Sequence, residues 1–259
     1  MLGRLTLPLL LLALAACSAG GAGSSGSASV DPPRVGACRL LTPEDIQATS
    51  NDSPTVDCKQ KHTAETFAVG EFPDEVAGDD IDEPALGSYV FDTCEKKFAK
   101  FLGGNESLVM RATVTWAWFR PTQDAWDEGA RWWRCDVVGG GQQSTSLVSL
   151  PKTAKGILLG VPDDRWTVCV NGPTVADSVK IPCSRKHNWR AVTTIVLGDD
   201  EDDYPGDRLV EIRTRDFCSD SVGAWLNYPV DYDYGYTWFH EAEWKAGNRR
   251  SICWARTDQ

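Results

Sequence analysis

Trp126-Asp127-Glu128-Gly129-Ala130-Arg131-Trp132-Trp133-Arg134-Cys135 is answered, without a gap, by Trp244-Lys245-Ala246-Gly247-Asn248-Arg249-Arg250-Ser251-Ile252-Cys253. Tryptophan, glycine, arginine and cysteine fall at the same places in both blocks. Upstream, Val56-Asp57-Cys58-Lys59-Gln60-Lys61-His62 is matched by Ile181-Pro182-Cys183-Ser184-Arg185-Lys186-His187, both reading β-branched-x-Cys-x-x-Lys-His. With Cys17 set aside, the cysteines divide four and four: Cys38, Cys58, Cys94, Cys135, then Cys169, Cys183, Cys218, Cys253. Shared order, shared neighbours and an ungapped block mark a tandem duplication, which sets the architecture before any single element is assigned.

Within each half the hydrophobic pattern reads the same way. A short strand carries the first cysteine (34–40; 165–170), and a strand with β-branched and alternating residues follows the second (64–72; 189–197). An acidic loop (79–83; 199–203) leads to a helix bearing the third cysteine. Tyr89, Val90, Cys94, Phe98 and Phe101 give one helix its apolar face, and Leu209, Ile212, Phe217, Val222 and Leu226 the other. Gly103 and Pro229 mark where these helices stop. Two strands close each unit (108–119 with 131–137; 234–239 with 249–255). The expected fold class is α+β: two tandem small disulfide-stabilised units, each a mostly antiparallel sheet with one helix. The units span 34–138 and 165–257, joined by a linker over 139–164 with candidate strands at 147–150 and 156–161.

At the other end of the chain, Arg4 precedes an apolar run from Leu5 to Ala16 interrupted only by Thr6 and Pro8. A bilayer-spanning helix needs about 20 apolar residues, so this is an export signal rather than an anchor. It ends in Leu14-Ala15-Ala16-Cys17, which looks like a bacterial lipobox; residues 1–16 form the lipoprotein signal and Cys17 is the acceptor of the lipid. Two or three acyl chains hold a protein stably where one does not. Residues 18–33, rich in Ser, Gly and Ala, make a flexible tether reaching about 20–25 Å. The expected location is the outer face of a bacterial cell membrane, with the membrane itself as one partner.

Among the 259 residues, 42% are hydrophobic and the formal net charge is −11, so packed cores are available and a basic nucleic-acid surface is not. The cysteines raise a metal reading, because Cys58-x-x-x-His62 and Cys183-x-x-x-His187 together form a Cys₂His₂ set. An even number of cysteines in an exported chain favours disulfides instead, and no metal or cofactor is expected. Sequence alone allows three pairings per unit. Placing the first and last cysteines on neighbouring strands, and the helix cysteine against the preceding strand, gives Cys38–Cys135 and Cys58–Cys94, then Cys169–Cys253 and Cys183–Cys218.

Val35-Gly36-x-Cys38, Cys58-x-x-x-His62-x-x-Glu65, the helix cysteine Cys94 and Pro121-Thr122-x-x-x-Trp126-x-x-Gly129-x-Arg131-x-x-x-Cys135 together resemble the septum-formation domain of actinobacterial cell-envelope proteins. The second half, from Cys183-x-x-x-His187 to Trp244-x-x-Gly247-x-Arg249-x-x-x-Cys253, looks like the same domain again, with Arg190 in the acidic position and without the Pro-Thr pair. The resemblance implies a part in septum formation and carries no catalytic chemistry.

Candidate binding residues are few. His62 with Glu65, and His187, could serve acid–base chemistry, although no nucleophile motif completes them; a histidine bonded to a strand-end carbonyl is the simpler expectation. Eleven tryptophans invite stacking on sugars, with Trp118, Trp133 or Trp189 exposed on a sheet face as the platform. The acidic loops lack the Gly and Glu placement of a calcium loop and read as solvated turns. The function these features support is a non-enzymatic, lipid-anchored envelope module that binds a protein or a cell-wall polymer. The alternative is a secreted hydrolase or a glycan- or metal-sensing lipoprotein.

Overall fold

The computed structural model describes residues 30–257 apart from 79, 83, 141–143, 177 and 200. The signal, Cys17 and most of the tether lie outside the described residues. In the first half β1 (Cys38–Arg39), β2 (Thr55–Val56) and β3 (Ala64–Glu71) precede α1 (Pro84–Leu102) and α2 (Glu106–Met110). Next come β4 (Thr115–Phe119), α3 (Gln123–Asp127) and β5 (Trp132–Val138). The second half runs β6 (Val168–Val170), β7 (Lys180–Pro182), β8 (Trp189–Val196), α4 (Asp207–Trp225), β9 (Tyr234–Thr237), α5 (Glu241–Lys245) and β10 (Arg250–Arg256). Each half forms a five-stranded antiparallel sheet, ordered β2-β1-β3-β5-β4 and β7-β6-β8-β10-β9, with one long helix packed on it. Even the irregularities repeat: β3 bulges at Phe67 and β8 at Val192.

The recurring Trp-x-x-Gly-x-Arg block is a corner between a short helix and the central strand. Gly129 and Gly247 take φ of 99° and 93°, values that favour glycine. The arginine then folds back, donating to the carbonyl of its own tryptophan and lying 4.0 Å (Arg131 on Trp126) or 3.7 Å (Arg249 on Trp244) from the ring centroid. The shared block thus builds structure, with both tryptophans buried.

The cysteine pairing differs from the expected one. The disulfides are Cys38–Cys58, Cys94–Cys135, Cys169–Cys183 and Cys218–Cys253. The cause is strand order. β3 lies between β1 and β5, so the first and last cysteines of a unit are never neighbours. Cys38 instead sits opposite Val56 on β2, within reach of Cys58. The long helix meets the central strand, which brings Cys94 to Cys135 and Cys218 to Cys253.

Three further expectations change. Leu108 to Met110 belong to α2 rather than a strand, because the Asn105 side chain accepts from the Leu108 amide and caps a helix there. In α4 the buried face is Val210, Thr214, Cys218 and Val222, leaving Leu209 and Phe217 exposed; the bond to Cys253 and the Thr214 hydroxyl on Ser251 Oγ (2.9 Å) set the helix rotation. The expected linker forms no strand among its described residues. It is a strap on the first unit: the Val148 amide bonds the Gly139 carbonyl, Leu150 bonds that of His62 and Leu158 that of Leu102. Leu150, Ala154 and Leu158 are buried in the first core.

The halves also meet directly. The amides of Thr113 and Val168 donate to the carbonyls of Trp166 and Arg111, and the Arg111 guanidinium donates to the Val192 carbonyl on β8 at 2.8 Å. Met110 of α2 packs against the second unit's apolar cluster. Among the described residues no helix is long and apolar enough to cross a membrane.

Candidate functional site

Alternation along β5 divides its side chains between two layers. Trp133, Cys135 and Val137 join the core under α1, whereas Trp132, Arg134, Asp136 and Val138 point the other way. That second face is covered by the loop after β1 and by α3, and it holds charge. Asp136, fully buried, accepts from the Thr66 hydroxyl at 2.6 Å and lies 3.2 Å from Arg134 Nε and 3.8 Å from Arg39 Nη1. Arg39 also donates to Thr66 Oγ1 (2.8 Å) and to the Ser53 carbonyl, while Arg134 donates to Asn51 Oδ1 (3.0 Å) and stacks on Phe119. Two guanidiniums thus share a single buried carboxylate.

Burial lowers the pKa of both arginines. Arg134 is pushed down to about 10 by burial, with Asp136 opposing the shift and the Arg39 charge adding to it. Arg39 is lowered for the same first reason. Above them opens a cleft of about 650 Å³, a volume typical of ligand sites. Its mouth is formed by the incoming chain at 31–37, by Asn51, Asp52, Ser53, Thr55 and Val56, and by Arg120 and Thr122. Arg34 is exposed at the rim, and Arg120 pairs there with the exposed Asp82 at 2.5 Å. This arrangement can hold and orient a polar ligand.

The other candidate residues have structural work. Nδ1 of His62 and of His187 each meets a carbonyl two residues back at 2.8 Å, so both rings are buried and fixed by the loop before the strand. Glu65 does not pair with His62; its carboxylate receives the Thr153 hydroxyl and the Ala154 amide and so holds the strap. Arg190, in the equivalent place, pairs with Asp164. Cys169, Cys183 and His187 have ligand atoms within 4.8 Å of one another, but the two sulfurs are joined and offer no thiolate.

No exposed tryptophan platform forms from the three candidates. Trp133 is 2% exposed and donates to the Glu71 carbonyl, Trp189 is 6% exposed and donates to that of Gly172, and Trp118 packs partly buried on the first core. Trp132 and Trp133 are both buried because both faces of the sheet are covered. The arginine cleft was missed in the sequence; its signal is Arg134 and Asp136 alternating with core residues inside a strand.

A family model described as septum formation matches residues 35–253, a single span that takes in both sheets and the strap. No curated protein and no solved structure matches the chain.

Proposed function

The chain belongs to the septum-formation family, and from that premise we propose that it is a non-enzymatic, extracytoplasmic binding module of the bacterial envelope, anchored by lipid on Cys17 and recruited to septum formation or cell-wall organisation. The observation that carries this reading is the arginine-floored cleft, placed where the N-terminal segment joins the first sheet. A ligand held there would be bound at the base of the tether. Oxidised cysteines and histidines locked on carbonyls support binding over catalysis. Four disulfides support residence outside the cytosol.

The test is localisation and release of the full chain in its source bacterium. Cys17→Ala should free it from the membrane fraction, and Arg34→Gln with Arg120→Gln should disperse a septal fluorescent fusion without lowering its abundance. Normal septation and unchanged localisation with both variants would overturn the reading.

A further inference from the structure

The second sheet shows what this fold needs at the cleft positions. Arg39 pairs with Ala64, Thr66 with Asp136 and Phe119 with Arg134; at the same registers Val170 pairs with Trp189, Ala191 with Trp254 and Thr237 with Ile252. The second unit therefore has Val170, Ala191, Ile252 and Trp254 where the first has Arg39, Thr66, Arg134 and Asp136, and Trp238 where the first has Arg120. Those four form one buried apolar cluster. One scaffold fills this layer with hydrocarbon in one sheet and with an ionic network in the other. Replacing a buried ionic network by apolar residues is often neutral or stabilising, so the fold does not call for these charges. The buried layer is unbalanced, with two cations on one carboxylate, beneath an open cleft that Asp31 and Asp52 also line.

We propose that the cleft of the first unit binds a phosphate ester, with the guanidiniums of Arg39 and Arg134 at its floor and those of Arg120 and Arg34 at its mouth. Guanidinium forks match the oxygens of a phosphate, and several forks can share its tetrahedral group where a carboxylate would serve fewer. Arg120 already lines the cleft, where its guanidinium is shared between the exposed Asp82 and the Thr49 hydroxyl (3.4 Å), and a phosphate would compete with Asp82 for it. The molecule carries a net charge of −11, so local donors rather than a general positive field must retain the anion. The ester can come from a lipid headgroup or from a soluble glycerol phosphate. This inference rests on reading the cleft as the binding surface.

Calorimetric titration of the full chain with glycerol 3-phosphate tests it. Saturable one-to-one binding is expected, weakened at least tenfold by Arg34→Gln with Arg120→Gln, a variant whose melting temperature confirms that it is folded. It should be abolished by Arg39→Val, Arg134→Ile and Asp136→Leu together, which makes the layer apolar as it is in the second unit. The full chain carrying Cys17→Ala separates the sources: preference for phosphatidylglycerol over phosphatidylcholine vesicles, lost with the rim variant, identifies a headgroup, and ester binding without that preference identifies a soluble ligand. Absence of saturable binding, or equal binding by wild type and rim variant, overturns the proposal. Septal recruitment that depends on the rim arginines without any ester binding would remove the ligand class and leave the binding role. Ester binding in a chain whose septation ignores the cleft would do the reverse.

Discussion

The Glu65 carboxylate accepts the Ala154 amide at 2.6 Å across 89 residues of chain, fastening the strap to β3 from inside the first core. The Thr153 hydroxyl reaches its other oxygen at 2.8 Å. Glu65→Ala leaves a buried amide without its acceptor, which costs about 1–3 kcal/mol. The melting temperature should fall, and proteolysis should open near residue 153 before either sheet unfolds. Glu65→Gln, which keeps an acceptor, should recover part of the loss.

Non-reducing peptide mapping should return Cys38–Cys58, Cys94–Cys135, Cys169–Cys183 and Cys218–Cys253. Paired serine substitutions rank the links by loop length. The bridge spanning 41 residues, Cys94–Cys135, should contribute about 4 kcal/mol and the one spanning 14, Cys169–Cys183, about 3 kcal/mol on the chain-entropy model. Chemical denaturation of the two double variants measures the order.

Gly70 is where β3 passes beneath the Trp133 ring. A Cβ there would overlap the ring carbon Cζ2, and the ring is held by its bond to the Glu71 carbonyl. Gly70→Ala must push the tryptophan or the strand and should cost about 1–3 kcal/mol, read as a lower denaturation midpoint and a shift in tryptophan emission.

Tyr204 donates to Asp207, and its phenol is pushed up from 10.0 to about 12, by burial first and then by that bond. The same bond holds the Asp207 carboxyl below its usual range. A raised phenol pKa stabilises the fold fully below pH 10.0, and that contribution is lost as pH climbs through about 12. The lowered carboxyl pKa acts in the opposite window: its contribution is present above the ordinary carboxylate pKa and lost as pH falls through the depressed value. Ultraviolet titration should show a late tyrosine that Tyr204→Phe removes and Asp207→Asn brings forward.

Local chemistry made much of this legible. The duplicated cysteine, histidine and tryptophan blocks foretold two α+β sheets, and the Gly103 stop is where α1 ends. Pairing was not legible, because it depends on β3 inserting between β1 and β5, a long-range choice that spacing does not encode. Tyr89 and Phe101 lie only partly buried, while Leu86 and Leu102 complete the inner face of α1, since the strap decides which flank is covered. The cleft escaped notice for a different reason. Arg39 and Arg134 read as ordinary surface charges until the sheet brings them onto Asp136, and only the apolar residues at matching registers of the second sheet expose their cost.

The Cys38–Cys58 link determines how the molecule carries tension. A pull on the segment before Cys38 passes through the sulfur bridge to Cys58 and then into β3, bypassing residues 39–57. Arg39 and the wall from Asn51 to Val56 lie off that route. Drag on the N-terminus would therefore be felt first at the mouth of the cleft, through residues 31–37, and then be borne by a covalent bond and the central strands, sparing Arg39 and the 51–56 wall.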